Sequence, residues 1–384
     1  MRIGLVTDCY KPVTNGVTRM VELYKDHLEQ RGHETTVITF GNQGQDQDNY
    51  RVVKSPAKPL GNTGYYFTWH LTPTIQRLLL SLDIVHCHHL FFSLPLARKY
   101  ARCPIVYTNH TRYDLYAAIY SHLPLFVTNI FMRWAWPRFT EHADLVIAPS
   151  ESLRQVLLKF KVSRPIQVIE NGIELAPFHK PLLPRDKLEW GWHSNNVVAI
   201  FVGRMASEKR VSMLIKEFAA AYNSVSELRL LLIGDGPELP SLREYVYSVG
   251  LNNYIHFVGK VPFEDIPNYL AAGDVFVTAS ITEVHPVTVV EALAAGLPVI
   301  GISSPGLVDI VESGLTGMLV PNLVGNLATA LIHLAADSIR RQEMGQNARR
   351  ASSRYSISQT VDNTLEVYQS LLNSQIELQH KPYR

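Results

Sequence analysis

Two carboxylates, Glu283 and Glu291, stand eight residues apart in the stretch 280–301. Pro286 suits the first position of a helix that Gly296 and Pro298 would end. The amides of Val284, His285, Val287 and Thr288 would then lie at a helix N-terminus, where unpaired N–H groups attract phosphate. Carboxylates repel phosphate, so the two glutamates are better suited to accept hydrogen bonds from sugar hydroxyls. A diphosphate carried between two sugars would use all these groups. A strand–turn–helix with two solvated glutamates has the same spacing, and on spacing alone both readings stand.

Gly203 and Arg204 close an apolar run at 197–202, and Lys209 follows five residues after Arg204. Arg204 can fork onto phosphate oxygens and Lys209 can act as a point charge, together offsetting a departing diphosphate. A solvated cation pair is the plain alternative. Near the start of the chain, Gly16 opens a helix after a strand and lets backbone approach an anion. A simple βα turn with Asn15 as N-cap would look the same. His110 follows the apolar run 105–108, at a strand's carboxyl end, where an imidazole can donate to a sugar or an acceptor hydroxyl. A lone histidine is more often structural. His86, His88, His89 and His285 find no carboxylate or cysteine to complete a metal set.

These groups need strands that end beside them. Over 1–170, strands are predicted at 2–7, 35–40, 51–55, 83–87, 104–108, 144–148 and 166–169, and helices at 17–30, 72–80 and 90–100. A polar loop is expected at 41–50 and a long aromatic-rich helical stretch after 108. Residues 175–192 read as a Pro-containing linker with a short helix. The alternation then restarts, with strands at 197–203, 228–233, 255–258, 274–279 and 298–301, and helices at 211–221, 240–249, 265–272 and 287–295. This predicts an α/β fold of two Rossmann-like, doubly wound domains facing across a cleft, 1–175 and 176–354. The apolar stripe Val361, Leu365, Val367, Tyr368, Leu371 and Leu372 predicts a closing helix within 355–384, which composition lets pack on either half.

Length and composition agree: 384 residues with 46% apolar and 18% charged suit two domains with sizeable cores. Three cysteines make no disulfide framework, which points to the cytoplasm. The N-terminal apolar run is too short for a signal peptide, and no run approaches a membrane span. Residues 1–180 carry a net charge of about +6 and the rest about −4, so one half suits an anionic surface.

Glu283…Glu291 followed by ALAAGLPV at 292–299 resembles the E-x7-E signature of retaining glycosyltransferases with the GT-B fold, in the large family called GT4. The resemblance implies that Glu283 contacts the donor sugar and Glu291 the nucleotide ribose. Gly203-Arg204…Lys209 resembles the family's diphosphate-binding motif, and Gly234-Asp235-Gly236-Pro237 its turn near the nucleotide. Val261 falls where the base usually meets backbone. Two departures stand out: Val284-His285 replaces the usual Gly-Phe, and Asn15-Gly16 the usual Gly-Gly. The family's first-domain histidine corresponds in order to His110, and the closing helix usually returns to the first domain. The expected catalytic set is then His110, Arg204, Lys209 and Glu283. Donor contacts are expected from Gly16, Gly203, Gly236, Pro237, Val261, His285, Pro286, Val287, Thr288 and Glu291 as well. Acceptor contacts are expected from Tyr10, Asn15, Arg112 and Tyr113.

The same resemblance implies a retaining transfer of a hexose, with glucose favoured, from a nucleotide diphosphate sugar, with no metal and no further cofactor. The family implies front-face displacement, the leaving phosphate taking the acceptor proton, and a domain closure that excludes water. His110-Thr111-x-Tyr113-x-x-Tyr116 resembles transferases that add glucose to diacylglycerol. Tyr113, Tyr116, Tyr120, Leu123, Leu125, Phe126, Phe131, Trp134, Trp136 and Phe139, flanked by Arg112, Arg133 and Arg138, form an aromatic-rich segment that suits lipid headgroups, or else packs on the sheet and lines an acceptor pocket. A membrane glycerolipid is the favoured acceptor, with a peripheral seat at the inner face of the plasma membrane. Rivals are a soluble acceptor or polysaccharide precursor with a mannosyl or other donor, and a nucleotide-sugar-binding protein without turnover. No nucleic-acid partner is expected. No G-x-G-x-x-G follows the first strand, which argues against a dehydrogenase.

Overall fold

The computed structural model describes residues 1–13, 15–41, 51–61 and 64–379. The loop expected at 41–50 therefore lies, from residue 42 on, outside the described residues, as do 380–384 of the closing segment.

Short aliphatic runs form the strands. In chain order these are β1 Arg2–Thr7, β2 Glu34–Phe40, β3 Val52–Ser55, β4 Lys58–Pro59, β5 Tyr66–Phe67, β6 Ile84–Cys87, β7 Ile105–Thr108, β8 Leu145–Ala148 and β9 Ile166–Val168. The second half supplies β10 Val197–Val202, β11 Leu228–Ile233, β12 Ile255–Gly259, β13 Val275–Thr278, β14 Val299–Ile302 and β15 Gly317–Val320. One sheet has the order β3-β2-β1-β6-β7-β8-β9 and the other β12-β11-β10-β13-β14-β15, with every pair parallel. Central strands such as β6, β13 and β14 are buried at every residue, as strands covered by helices on both faces must be. Strand β10 shows why. Val197, Ala199 and Phe201 join one apolar cluster, and Val198 and Ile200 another, one on each face of the sheet.

Both sheets wind outward in two directions from their first strand, so each has a switch point: β1/β6 in one, β10/β13 in the other. Loops leaving the carboxyl ends of such strand pairs are where doubly wound sheets hold ligands.

The chain divides into two compact units. The first holds 1–114, 123–172 and 357–384; the second holds 115–122 and 173–356. The expected domains assigned 115–122 to the first half, but these residues cluster with the second. The aromatic stretch is two helices, Tyr113–Ser121 and Leu125–Thr140, because His122 takes a left-handed φ of 57° and Pro124 follows it. The sequence reading also passed over β15, the β4–β5 hairpin and the helices Asn326–Ala336 and Ser338–Ala351.

The closing helix, Ile357–Gln379, belongs to the first unit and packs along the helix Gly16–Gln30. Val361 and Tyr368 are fully buried there. Thr364 Oγ1 donates to Thr360 O, so the Tyr24 hydroxyl, 3.1 Å away, is the donor to Thr364. Arg31 Nε donates to Asp362 Oδ1 at 2.7 Å. Tyr368→Ala should therefore destabilise the first unit by about 3–5 kcal/mol. A chemical-denaturation midpoint equal to that of the parent protein would show that the helix is not integral to this core.

Candidate active site

In the second unit the site is built from the two loops at the β10/β13 switch point. The loop after β10 makes a single 3-10 turn, Ser207–Lys209, and then Arg210 in the left-handed region at φ 53°. The loop after β13 carries Glu283 and runs into the helix Val287–Ala295. Lys209 Nζ lies 2.5 Å from Glu283 Oε1, with both side chains mostly buried. Burial works against the lysine's charge. Glu283, aided by Tyr116 and Glu208, outweighs it and holds the ammonium well above the ordinary lysine range. Ser280 Oγ donates to Glu208 O at 3.2 Å, a second tie between the loops.

Backbone contact brings these loops close. A Cβ on Gly234 would sit 1.9 Å from Gly203 O, and Gly234 has φ +135°. Met205 N donates to Asp235 O, and Glu238 N to Met205 O, each at 2.9 Å. The Gly-x-Gly turn is therefore required by the protein's own packing, whatever else passes near Gly236 and the exposed Pro237. Gly306 plays the same part for Glu283: a Cβ there would lie 2.3 Å from Glu283 O.

Pro286 is the N-cap of the helix Val287–Ala295 rather than its first residue. The amides of Val287 and Thr288 are first-turn donors with no intrahelical acceptor. Glu291 is buried in the second turn, 6% exposed. Arg204 is exposed, and its side chain forms no ion pair or hydrogen bond among the described residues. Val261 is half-buried against the core. The His285 side chain does not project outward. Its ring packs edge-on to Tyr355 at 5.4 Å, and burial, with Arg354 nearby, lowers its pKa to about 3. Any contact from His285 to a ligand thus falls to its backbone.

The first unit presents a polar, largely uncharged cluster at β1/β6 and the neighbouring β7. His110, two residues past β7, has Nε2 3.0 Å from His88 Nδ1, and burial lowers its pKa to about 3. Asn15 is occupied as the N-cap: its Oδ1 accepts from Thr18 N, and Thr18 Oγ1 accepts from Asn15 N, both at 2.9 Å. Gly16 has open space above it. Tyr10 is buried, 7% exposed. Arg112 is held bidentate by Asp114, at 2.9 and 2.7 Å, so its guanidinium is already matched. The Tyr113 hydroxyl accepts from Leu90 N at 3.3 Å, and its ring packs between Phe91 and Trp136.

Further residues at these loops carry no assigned role in the sequence analysis. Asp8, just past β1, accepts from Ser93 N at 2.9 Å and from Ser93 Oγ, at the start of the helix Ser93–Tyr100. Burial outweighs those bonds and pushes its carboxyl up to about 7. Tyr120 donates to Glu208 Oε2 at 2.7 Å, and Tyr116, pushed up to about 12 chiefly by burial, feels Lys209 and Glu283. Among the described residues no group of three or more His, Cys, Asp or Glu could hold a metal ion.

The sequence and the fold have known counterparts. The family described as Glycosyltransferase Family 4 matches residues 14–176, and Glycosyl transferases group 1 matches 184–351. The chain is 30% identical over 373 residues to the alpha-monoglucosyldiacylglycerol synthase of Acholeplasma laidlawii, covering 92% of this chain and 93% of that one. The chain belongs to the GT4 glycosyltransferases. As in that family, its fold is GT-B. HepE of Anabaena, solved with UDP and glucose, superposes with a TM-score of 0.76 at 22% identity, over 96% of this chain and 100% of that one. A GDP-mannose-dependent alpha-mannosyltransferase of Corynebacterium glutamicum is 26% identical, over 83% of this glycosyltransferase and 76% of that one.

The construction of the site sets expectations for stability. Gly234→Ala should cost about 2 kcal/mol or more, since both φ and the Gly203 carbonyl oppose a Cβ. Gly16→Ala, in open space, should stay within about 0.5 kcal/mol in the same urea titration. Acid acts on the first unit through its histidines. Unfolded, His86, His89 and His110 take up protons near pH 6.5; folded, they do so only near pH 3. Below about pH 6.5 the unfolded state binds more protons. Stability therefore falls as pH drops towards 3, by about 1.4 kcal/mol per pH unit for each such ring. Denaturation of the first unit at pH 7.5 and 5.5 measures this, and equal midpoints would refute neutral burial of these rings.

Proposed function

We propose that this glycosyltransferase moves a hexose, with retention, from a nucleotide diphosphate sugar, UDP-glucose being favoured, to a hydroxyl of a membrane glycerolipid. The observation that carries the donor half is the Lys209–Glu283 pair beside the helix Val287–Ala295, at the carboxyl ends of β10 and β13. An incoming diphosphate would take Lys209 and the exposed Arg204 as counter-charges and meet the first-turn amides of Val287 and Thr288. Glu283, released from its lysine, would accept from sugar hydroxyls, and Glu291 from the ribose. As phosphate–sugar bond cleavage concentrates charge on the diphosphate, these fixed donors stabilise it more than the ground state. The leaving phosphate oxygen takes the acceptor's proton. His110 donates a hydrogen bond to the sugar or to the acceptor oxygen. No metal is needed, because protein cations and amides carry the charge.

The lipid half rests on the alpha-monoglucosyldiacylglycerol synthase likeness and on the helix Leu125–Thr140. Its aromatic residues divide by face. Trp136 is fully buried, while Phe126, Ile130 and Trp134, spaced by four, are 66%, 65% and 56% exposed. Leu123, Leu125 and Phe131 extend this apolar face, and Arg133 and Arg138 are exposed beside it. A surface of that kind inserts in a headgroup layer without spanning it. Among the described residues no helix is long and apolar enough to cross a membrane.

Incubation with a panel of nucleotide sugars, GDP-mannose included, with diacylglycerol vesicles and soluble acceptors, followed by product identification, tests the whole reading. A product from GDP-mannose alone, or only on a soluble acceptor, would replace it. Glu291→Ala should weaken UDP-glucose binding about tenfold or more by calorimetry, for the loss of a charge-assisted hydrogen bond. Unchanged affinity would move the ribose contact elsewhere. Phe126→Ser with Trp134→Ser should abolish co-sedimentation with anionic vesicles at low salt; persistent sedimentation would exclude this face as the membrane contact.

A further inference from the structure

Three imidazoles form a column in the first unit. His86 and His88, two residues apart at the end of β6, point the same way, and their rings stack at 4.3 Å and 29°. His110 stacks on His88 at 5.3 Å and 15°. The column is anchored at its base, where His86 Nδ1 lies 2.7 Å from the Tyr368 hydroxyl and Nε2 lies 2.6 Å from Thr108 Oγ1. At its top, His88 Nδ1 and His110 Nε2 are 3.0 Å apart, a distance that holds one shared proton. His88 is wholly buried, and its Nε2 has no hydrogen-bond partner among the described residues.

Burial and partnership decide where that proton sits. Burial keeps both rings neutral, lowering His88 well below the ordinary histidine range and His110 to about 3. Suppose His110 donated from Nε2. Neutral His88 would then carry its own proton on Nε2, a buried N–H with no acceptor. If His88 donates from Nδ1 instead, its Nε2 is only an unused lone pair. An orphaned N–H is the rarer and costlier omission. The proton therefore sits on His88 Nδ1, and His110 accepts it at Nε2. The tautomer of a histidine is set by the bond its other nitrogen makes. His110 then carries its proton on Nδ1.

We propose that His88 is a positioning residue, which locks His110 as the Nδ1–H tautomer so that the ring offers a hydrogen-bond donor, and not a base, to the reacting oxygens. This rests on the reading of His110 as a reacting-site group. A ring so locked has no free lone pair to take the acceptor's proton, which leaves that proton to the departing phosphate. Its fixed N–H is instead preorganised towards oxygen.

Imidazole 15N NMR on the full chain reads the tautomer directly, and UDP release from UDP-glucose with diacylglycerol vesicles reads turnover. In the parent protein His110 should be protonated at Nδ1; protonation at Nε2 overturns the proposal. His88→Asn places an amide N–H near the lost Nδ1 and should preserve both tautomer and kcat. His88→Leu removes the donor, should admit the Nε2–H form, and should lower kcat about tenfold to a hundredfold. KM for UDP-glucose should change less than about threefold. Equal loss in the Asn and Leu variants, with circular dichroism showing both folded, would make His88 a packing residue only and overturn the proposal. Undiminished turnover in His110→Ala would overturn the reading of His110 itself, while the proton placement is still decided by the spectra.

Discussion

The Lys209–Glu283 ion pair ties together two loops that leave adjacent strands, β10 and β13, on opposite sides of a winding reversal. Neither loop reaches this pairing by local preference. Arg210 takes a left-handed conformation that a non-glycine residue adopts at a cost, and Glu283 is backed by a loop whose glycine nearly touches its carbonyl. The surrounding sheet over-determines both. A carboxylate beside a mostly buried lysine favours the charged ammonium, so the site keeps a lysine cation in place despite its burial. In the proposed reaction a diphosphate sugar would offer each a replacement partner, phosphate for the lysine and hydroxyls for the glutamate.

The first unit solves a different electrostatic problem. Its switch-point loops are lined with the three stacked imidazoles and His89, which burial keeps neutral, and with Asp8, whose carboxyl burial pushes up to about 7. Asp8 and His89 are tied to backbone, Asp8 at the start of the helix Ser93–Tyr100 and His89 through Asp8 N at 3.0 Å. One unit thus concentrates fixed charge and the other fixed dipoles. That division suits the proposed reaction, in which the donor's charge would grow and the acceptor would begin and end uncharged.

Several residues singled out by type also have partners in the scaffold. Asn15 caps a helix, Arg112 is matched by Asp114, and the His285 ring is enclosed beside Tyr355. Each is a polar residue near a strand end, which is where sequence reasoning looks for chemistry. Whether such a side chain meets ligand or protein depends on neighbours that can lie tens or hundreds of residues away. The aromatic helix shows the same limit. Its exposed and buried rings alternate along one helix, and composition merges them into a single segment.

Alternation of aliphatic runs with amphipathic stretches, together with Glu283, Glu291, Arg204 and Lys209 at their spacing, was enough to specify two doubly wound sheets and the family. These are local properties: strand and helix periodicity and turn residues at fixed offsets are written along the chain. Tertiary structure alone decided that 115–122 groups with the second unit, that Lys209 finds Glu283, and that the rings of His88 and His110 meet within hydrogen-bond distance. Desolvation and hydrogen-bond partnership set those outcomes. Both depend on which distant segments close over a group, a quantity that no window of sequence contains.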